Sequence, residues 1–103
     1  MKTSIHFTPK DGGPDRLVCE AEIHFGEDAG PLANMKLVGF SLWSSPEGEI
    51  YVTFPSRAFG TGSERRYFDF LRSIEGTPLE SRNLKTEMIA AYREFEANAV
   101  SVA

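Results

Sequence analysis

The chain is poor in the side chains that carry chemistry. Its 103 residues include one cysteine, two histidines and one tryptophan. With Cys19 alone, no internal disulfide can form, which fits a reducing compartment, and the expected location is cytoplasmic. No apolar run approaches the roughly 20 residues of a bilayer-spanning helix, so no membrane partner is expected. The start, MKTSIHFTPKDGG, has no sustained apolar stretch behind its lysine and does not read as a signal peptide. No acid–base or nucleophile constellation is framed by a motif, so no catalytic residue, no cofactor and no enzymatic activity are expected.

What is present is an ordinary globular composition, 41% hydrophobic and 25% charged. The length suits a single domain over 1–103 with a single core. The net charge of −4 is uneven. Residues 1–54 hold Lys2, Lys10, Arg16 and Lys36 against eight carboxylates, whereas residues 55–103 balance seven against seven. Inside that second half, Pro55–Arg72 carries Arg57, Arg65, Arg66 and Arg72 against Glu64 and Asp69, a local excess of two positive charges. An acidic whole with one basic stretch does not steer nucleic acid from a distance, though it can hold it on contact.

Ile5 and Phe7 alternate with His6 and Thr8, a short first strand. A turn-rich segment follows from Pro9 to Asp15. Leu17, Cys19, Ala21, Ile23 and Phe25 then alternate with Glu20, Glu22 and His24, the period of a half-buried strand. Pairing Phe7 with Leu17 and Ile5 with Cys19 makes the two apolar faces coincide. Gly26–Asn34 reads as an irregular loop.

Met35–Ser44 and Glu49–Phe54 form a second hairpin closed by Ser45-Pro-Glu-Gly48. Pairing Leu42 with Ile50, Phe40 with Val52 and Val38 with Phe54 gives one continuous apolar face. The reverse face, with Trp43, Tyr51 and Thr53, is partly aromatic, as in a sheet covered on both sides. Arg65–Arg72 reads as a fifth strand, with a helix start as the competing reading. From Leu84 to about Val100, Leu84, Met88, Ile89, Tyr92, Phe95 and Ala99 recur at helical spacing, with Asn83 or Ser81 as cap. The expected fold is α+β: a small, largely antiparallel sheet of about five strands with one C-terminal helix packed on one face. Even-numbered side chains from Val38 to Phe70 would line its core.

Four features bear on function. Gly60-Thr-Gly62-Ser63 lacks the lysine and following helix of a phosphate-binding loop and reads as a hairpin connection. Glu20, Glu22 and His24 share a strand face, but His6 lies too far along the paired strand to complete a metal site, so no metal is expected. Cys19 faces away from His24, which excludes a Cys-His nucleophile by parity. Arg57 projects from a stiff corner after Pro55, and Arg65 and Arg66 enter the returning strand across the loop. Guanidinium groups beside exposed aromatics can hold phosphates and stack on bases. They can equally pair with Glu64, Asp69 or a partner subunit. By alternation, at most one of Arg65 and Arg66 shares a face with Tyr67.

The strand Leu17–Phe25, then Val38-Gly-Phe-Ser-Leu42, a turn with Pro46 and Gly48, and Ile50-Tyr-Val-Thr-Phe-Pro-Ser-Arg57 resemble the stage V sporulation protein G family, the SpoVG-like septation regulators. A glycine-containing loop, a short strand and a helix ending in Ala90-Ala-Tyr92-Arg-Glu-Phe95 follow in the same order, so the resemblance spans about Ile5 to Phe95. It implies a bacterial homodimer that binds DNA or RNA and regulates gene expression. This chain departs from the family pattern after Arg57, where Ala58 and Phe59 replace further basic residues. It also has Tyr67-Phe-Asp-Phe-Leu71 where the family reads towards Asp-Ile-Ala-His-Pro.

The expected nucleic-acid-binding residues are therefore Arg57, Arg65, Arg66 and Tyr67, contacting phosphates near the Pro-Ser-Arg corner. Tyr51, Tyr67 and Trp43 are assigned to a homodimer surface. The alternative is a protein-interaction adaptor on the same fold without nucleic-acid binding.

Overall fold

The computed structural model describes residues 1–10 and 12–102, with side chains described as far as Asn98. Among the described residues six strands and one α-helix make an α+β fold: β1 (Ser4–Pro9), β2 (Leu17–His24), β3 (Lys36–Ser44), β4 (Ile50–Thr53), β5 (Ser56–Phe59), β6 (Arg66–Asp69) and α1 (Leu79–Val102). The strands do not form one sheet. β1 to β4 make an antiparallel meander in sequence order, and β5 and β6 pair only with each other.

Both expected hairpins form out of the expected register, the first by four residues and the second by two. Phe7 faces Ala21 and Ile5 faces Ile23, not Leu17 and Cys19. Leu42 faces Val52 and Ser44 faces Ile50, so Leu42 does not meet Ile50. A slip by an even number of residues preserves which face every side chain occupies, so alternation alone cannot detect it. In the second hairpin the turn decides. Ser45 donates its N–H to Glu49 O (2.8 Å) and its carbonyl accepts that of Gly48 (2.9 Å), which keeps the five residues 45–49 outside the ladder.

Two bulges rearrange the expected core. Between Ala21↔Phe40 and Ile23↔Leu37, β3 carries one residue more than β2. The extra length falls at Val38-Gly39, with Gly39 at φ +105°. Leu37 turns inward and Val38 turns out, 52% exposed. The second bulge, at Val18, packs Val18 on the core and sets Leu17 opposite Trp43.

The buried set is Cys19, Ala21, Ile23, Phe40, Leu42, Val52 and Phe54 from the sheet, closed by Met88 and Tyr92 of α1. α1 touches the edge strands β1 and β4, so it lies across the whole meander. Leu84, Ile89 and Phe95 flank the buried pair as the helical spacing predicts, and the side chain of Ala99 lies outside the described residues. Phe68 and Phe70, expected in this core, belong to or follow the separate hairpin and are exposed.

α1 begins five residues before Leu84, which places Ser81 and Asn83 inside it rather than at its cap. Pro78 leads the helix in, since its fixed φ and missing N–H are tolerated there. Its carbonyl accepts from Arg82 N–H (3.0 Å), and the Thr77 hydroxyl donates to Glu80 (2.7 Å). The first turn has only Leu79 as an apolar residue, and Leu79 is exposed, so periodicity carried no trace of it. Segment Gly26–Asn34 is also more regular than expected: Glu27–Leu32 is 3-10 helical, kinked at Gly30.

The Val38 bulge gives a direct test. Leu42→Ala should cost about 2–5 kcal/mol, whereas Val38→Ala, of the same parity on the same strand, should stay within about 0.5 kcal/mol of the parent. Urea denaturation of the two variants measures both. Equal losses would place Val38 in the core and remove the bulge.

Candidate nucleic-acid interface

The chain leaves the meander at Pro55. Continuing the pairing of Ser41 with Thr53 by two residues sets Gly39 opposite Pro55, where the missing N–H ends the ladder. A Cβ on Gly39 would stand 2.9 Å from Pro55 Cβ, so the ring fits only because residue 39 has none. Pro55 O still accepts from Phe70 N–H (2.9 Å), which ties the base of the β5–β6 hairpin together.

The hairpin is a short arm. Ser56 faces Asp69, Arg57 faces Phe68, Ala58 faces Tyr67 and Phe59 faces Arg66. The arm's tip turns through Gly62–Glu64, a single 3-10 turn. Gly60, at φ +83°, closes it: a Cβ there would come 2.6 Å from Glu64 O.

Cross-strand parity divides the arginines. Arg57 and Arg66 share one face with Phe59 and Phe68, each arginine directly opposite a phenyl ring. On that face the Arg57 guanidinium lies 4.9 Å from the centre of the Phe59 ring. Phe59 and Phe68 meet edge to face at 5.3 Å. Tyr67 stands on the opposite face, where Arg65 lies over its ring at 5.6 Å. The four expected site residues are thus gathered on one arm but on two faces, with Arg65 the one that accompanies Tyr67.

Phe59 and Phe68 were not anticipated as site residues. Reading Ser56–Phe59 as a strand, from its own alternation, would have put them beside Arg57 and Arg66. All of these side chains are exposed, Phe59 at 45%, Phe68 at 47% and Tyr67 at 65%. Among the described residues, none of the ion pairs involves Arg57, Arg65 or Arg66. Exposed cation–π contacts are worth only about 0.5–1 kcal/mol, and a hydrogen bond to a charged group about 1.5–3 kcal/mol. The contacts orient the guanidinium groups without holding them against an incoming phosphate.

The outer face of the meander differs from expectation in one place. With Phe7 opposite Ala21, His6 falls opposite Glu22 and its ring stacks on His24 at 3.7 Å. His6 is therefore not remote from Glu22 and His24. His24 Nε2 lies 2.7 Å from Glu22 Oε1, and Lys36 Nζ lies 3.5 Å from the same oxygen. The hydrogen bond from His24, aided by the charges of Lys36 and His24, holds the Glu22 carboxyl below the usual carboxylate range. That contribution to stability is present above the ordinary carboxylate pKa and is lost as pH falls through the lowered one. Among the described residues no group of His, Cys, Asp and Glu has an arrangement that could hold a metal ion.

Trp43 and Tyr51 are direct cross-strand partners on this outer face, and the indole N–H donates to Thr53 Oγ1 (2.9 Å). Tyr67, expected with them, belongs to the other sheet. A depression of about 800 Å³ is lined by Asp69–Pro78 with Ser81. It is the hollow of one loop rather than a cleft between elements. Among the described residues no helix is long and apolar enough to cross a membrane. No family model, curated protein or solved structure matches the chain.

Cys19 is 1% exposed, and burial pushes its thiol up to about 11. At neutral pH it should be unreactive towards an aromatic disulfide reagent in the native protein and titrate fully in denaturant. Rapid labelling without denaturant would contradict the packing described.

Proposed function

We propose that this chain is a SpoVG-like regulator that binds nucleic acid in the bacterial cytoplasm, as a homodimer, and that it is not an enzyme. The single observation that carries the reading is the β5–β6 arm: three exposed arginines, free of ion pairs among the described residues, interleaved with exposed aromatic rings. Arg57, Arg65 and Arg66 contact phosphates, and Tyr67 adds a stacking surface beside Arg65. The homodimer forms through the outer face of the meander around Trp43 and Tyr51, on a different sheet from the arm. The order of segments up to Pro-Ser-Arg57 supports the family reading.

A competing reading, a protein-interaction adaptor without nucleic-acid binding, is favoured by the net charge of −4 and by the apolar share of the arm. The two readings differ in salt dependence. Three arginines from each of two subunits make about six phosphate contacts, for a slope of log K against log salt near −5 on duplex or about −4 on a single strand. Fluorescence anisotropy with pooled DNA and RNA measures the slope. Arg57→Ala with Arg66→Ala should remove most of the affinity. A flat dependence, or unchanged affinity in the double variant, refutes the nucleic-acid reading and leaves the adaptor. Light scattering should give twice the monomer mass, and Tyr51→Glu should return it to the monomer value.

A further inference from the structure

The arrangement on the arm goes beyond a set of positive charges. Its Arg57/Arg66 face presents two guanidinium groups and two phenyl rings at alternating positions of a two-stranded ladder. Duplex DNA or RNA offers phosphates to such a face but keeps its bases stacked away from it. Phosphates alone would be served as well by arginines among threonines or serines. Unpaired strand offers both phosphates and free π-faces, and rings beside guanidinium groups suit both.

We infer that the β5–β6 arm takes unpaired nucleic acid, stacking bases on Phe68 and Phe59 while Arg57 and Arg66 hold the flanking phosphates. The inference rests on the nucleic-acid reading above and narrows its substrate class to a single strand.

Three observations support it. Charge complementarity selects an anionic occupant, because Pro55–Arg72 holds four arginines against two carboxylates in a chain that is otherwise acidic. The rings are poorly used within the fold. Phe59 and Phe68 touch each other at 5.3 Å, and neither belongs to the buried core or the shell packed on it. The face also continues into an open cleft of about 350 Å³ lined by Phe59, Phe68, Asp69, Phe70 and Arg72, three rings with one arginine and one carboxylate. Four residues of strand span about 13 Å, room for two or three nucleotides. Base contacts of this kind ignore the sugar, so DNA and RNA strands should bind alike.

Anisotropy with labelled oligo-dT, oligo-U and a mixed-sequence duplex of equal length tests the inference. Both single strands should bind about tenfold or more tighter than the duplex. Phe68→Leu should weaken single-strand binding by about tenfold while leaving the salt slope unchanged, and Phe68→Trp should retain the affinity. Arg66→Ala should instead flatten the slope by about 0.7 per phosphate lost. The exposed position of Phe68 predicts an unchanged melting temperature in both Phe68 variants, which separates loss of stacking from loss of fold. Duplex bound as tightly as single strand overturns the inference but leaves phosphate binding standing. Phe68→Leu with full affinity, or a strong preference between dT and U, also overturns it. Absence of binding to any of the three overturns both readings.

Discussion

The contact between Gly39 and Pro55 decides where this molecule stops being a sheet. Gly39 can sit at φ +105° and let a proline ring approach within 2.9 Å of where a side chain would begin. Pro55 cannot donate to β3, so β4 ends and the chain is released into a second sheet. The same glycine sits in the bulge that turns Val38 outward and Leu37 inward. One position therefore sets both the composition of the core and the origin of the arm.

Consequences for binding follow from the separation. In a continuous five-stranded sheet, Phe68 would have been drawn into the core beside Phe40 and Phe54, and the returning strand would have shown only one face to solvent. As a separate two-stranded ladder the arm exposes both faces. One carries Arg57, Phe59, Arg66 and Phe68; the other carries Tyr67 with Arg65 over it. Arg57 and Arg65 are oriented by weak ring contacts, and among the described residues none of the three arginines of the arm is locked by a carboxylate, a state in which an external anion meets little competition. The acidic charge of the rest of the chain gives no long-range attraction, so recognition on this surface depends on short-range contacts.

Much of the fold could be read from alternation and period. The inward set of β2, the partners Phe40, Leu42, Val52 and Phe54, and the helix face through Met88 and Tyr92 all follow from spacing. The register failed for one reason: alternation fixes faces, not registers. The first hairpin slips by four residues and the second by two, neither slip changing a face, and the first is what brings His6 onto His24. Bulges at Val18 and Val38 are local departures from a period of two. A first helical turn without inward apolar residues leaves no periodic signal, so α1 begins earlier than its pattern. The site was legible as a basic stretch after Pro55 together with Tyr67, but alternation puts Phe68 in the core and gives Phe59 no role, because a four-residue strand from Ser56 to Phe59 is too short to stand out by length.

The most direct measurement is a backbone amide titration by NMR with a short unpaired oligonucleotide. If the arm is the binding surface, the shifts concentrate in Ser56–Phe59 and Arg66–Asp69, while the amides of α1 and of the outer meander face around Trp43 stay in place. Shifts confined to the helix or the meander, with the arm silent at saturation, would contradict the account.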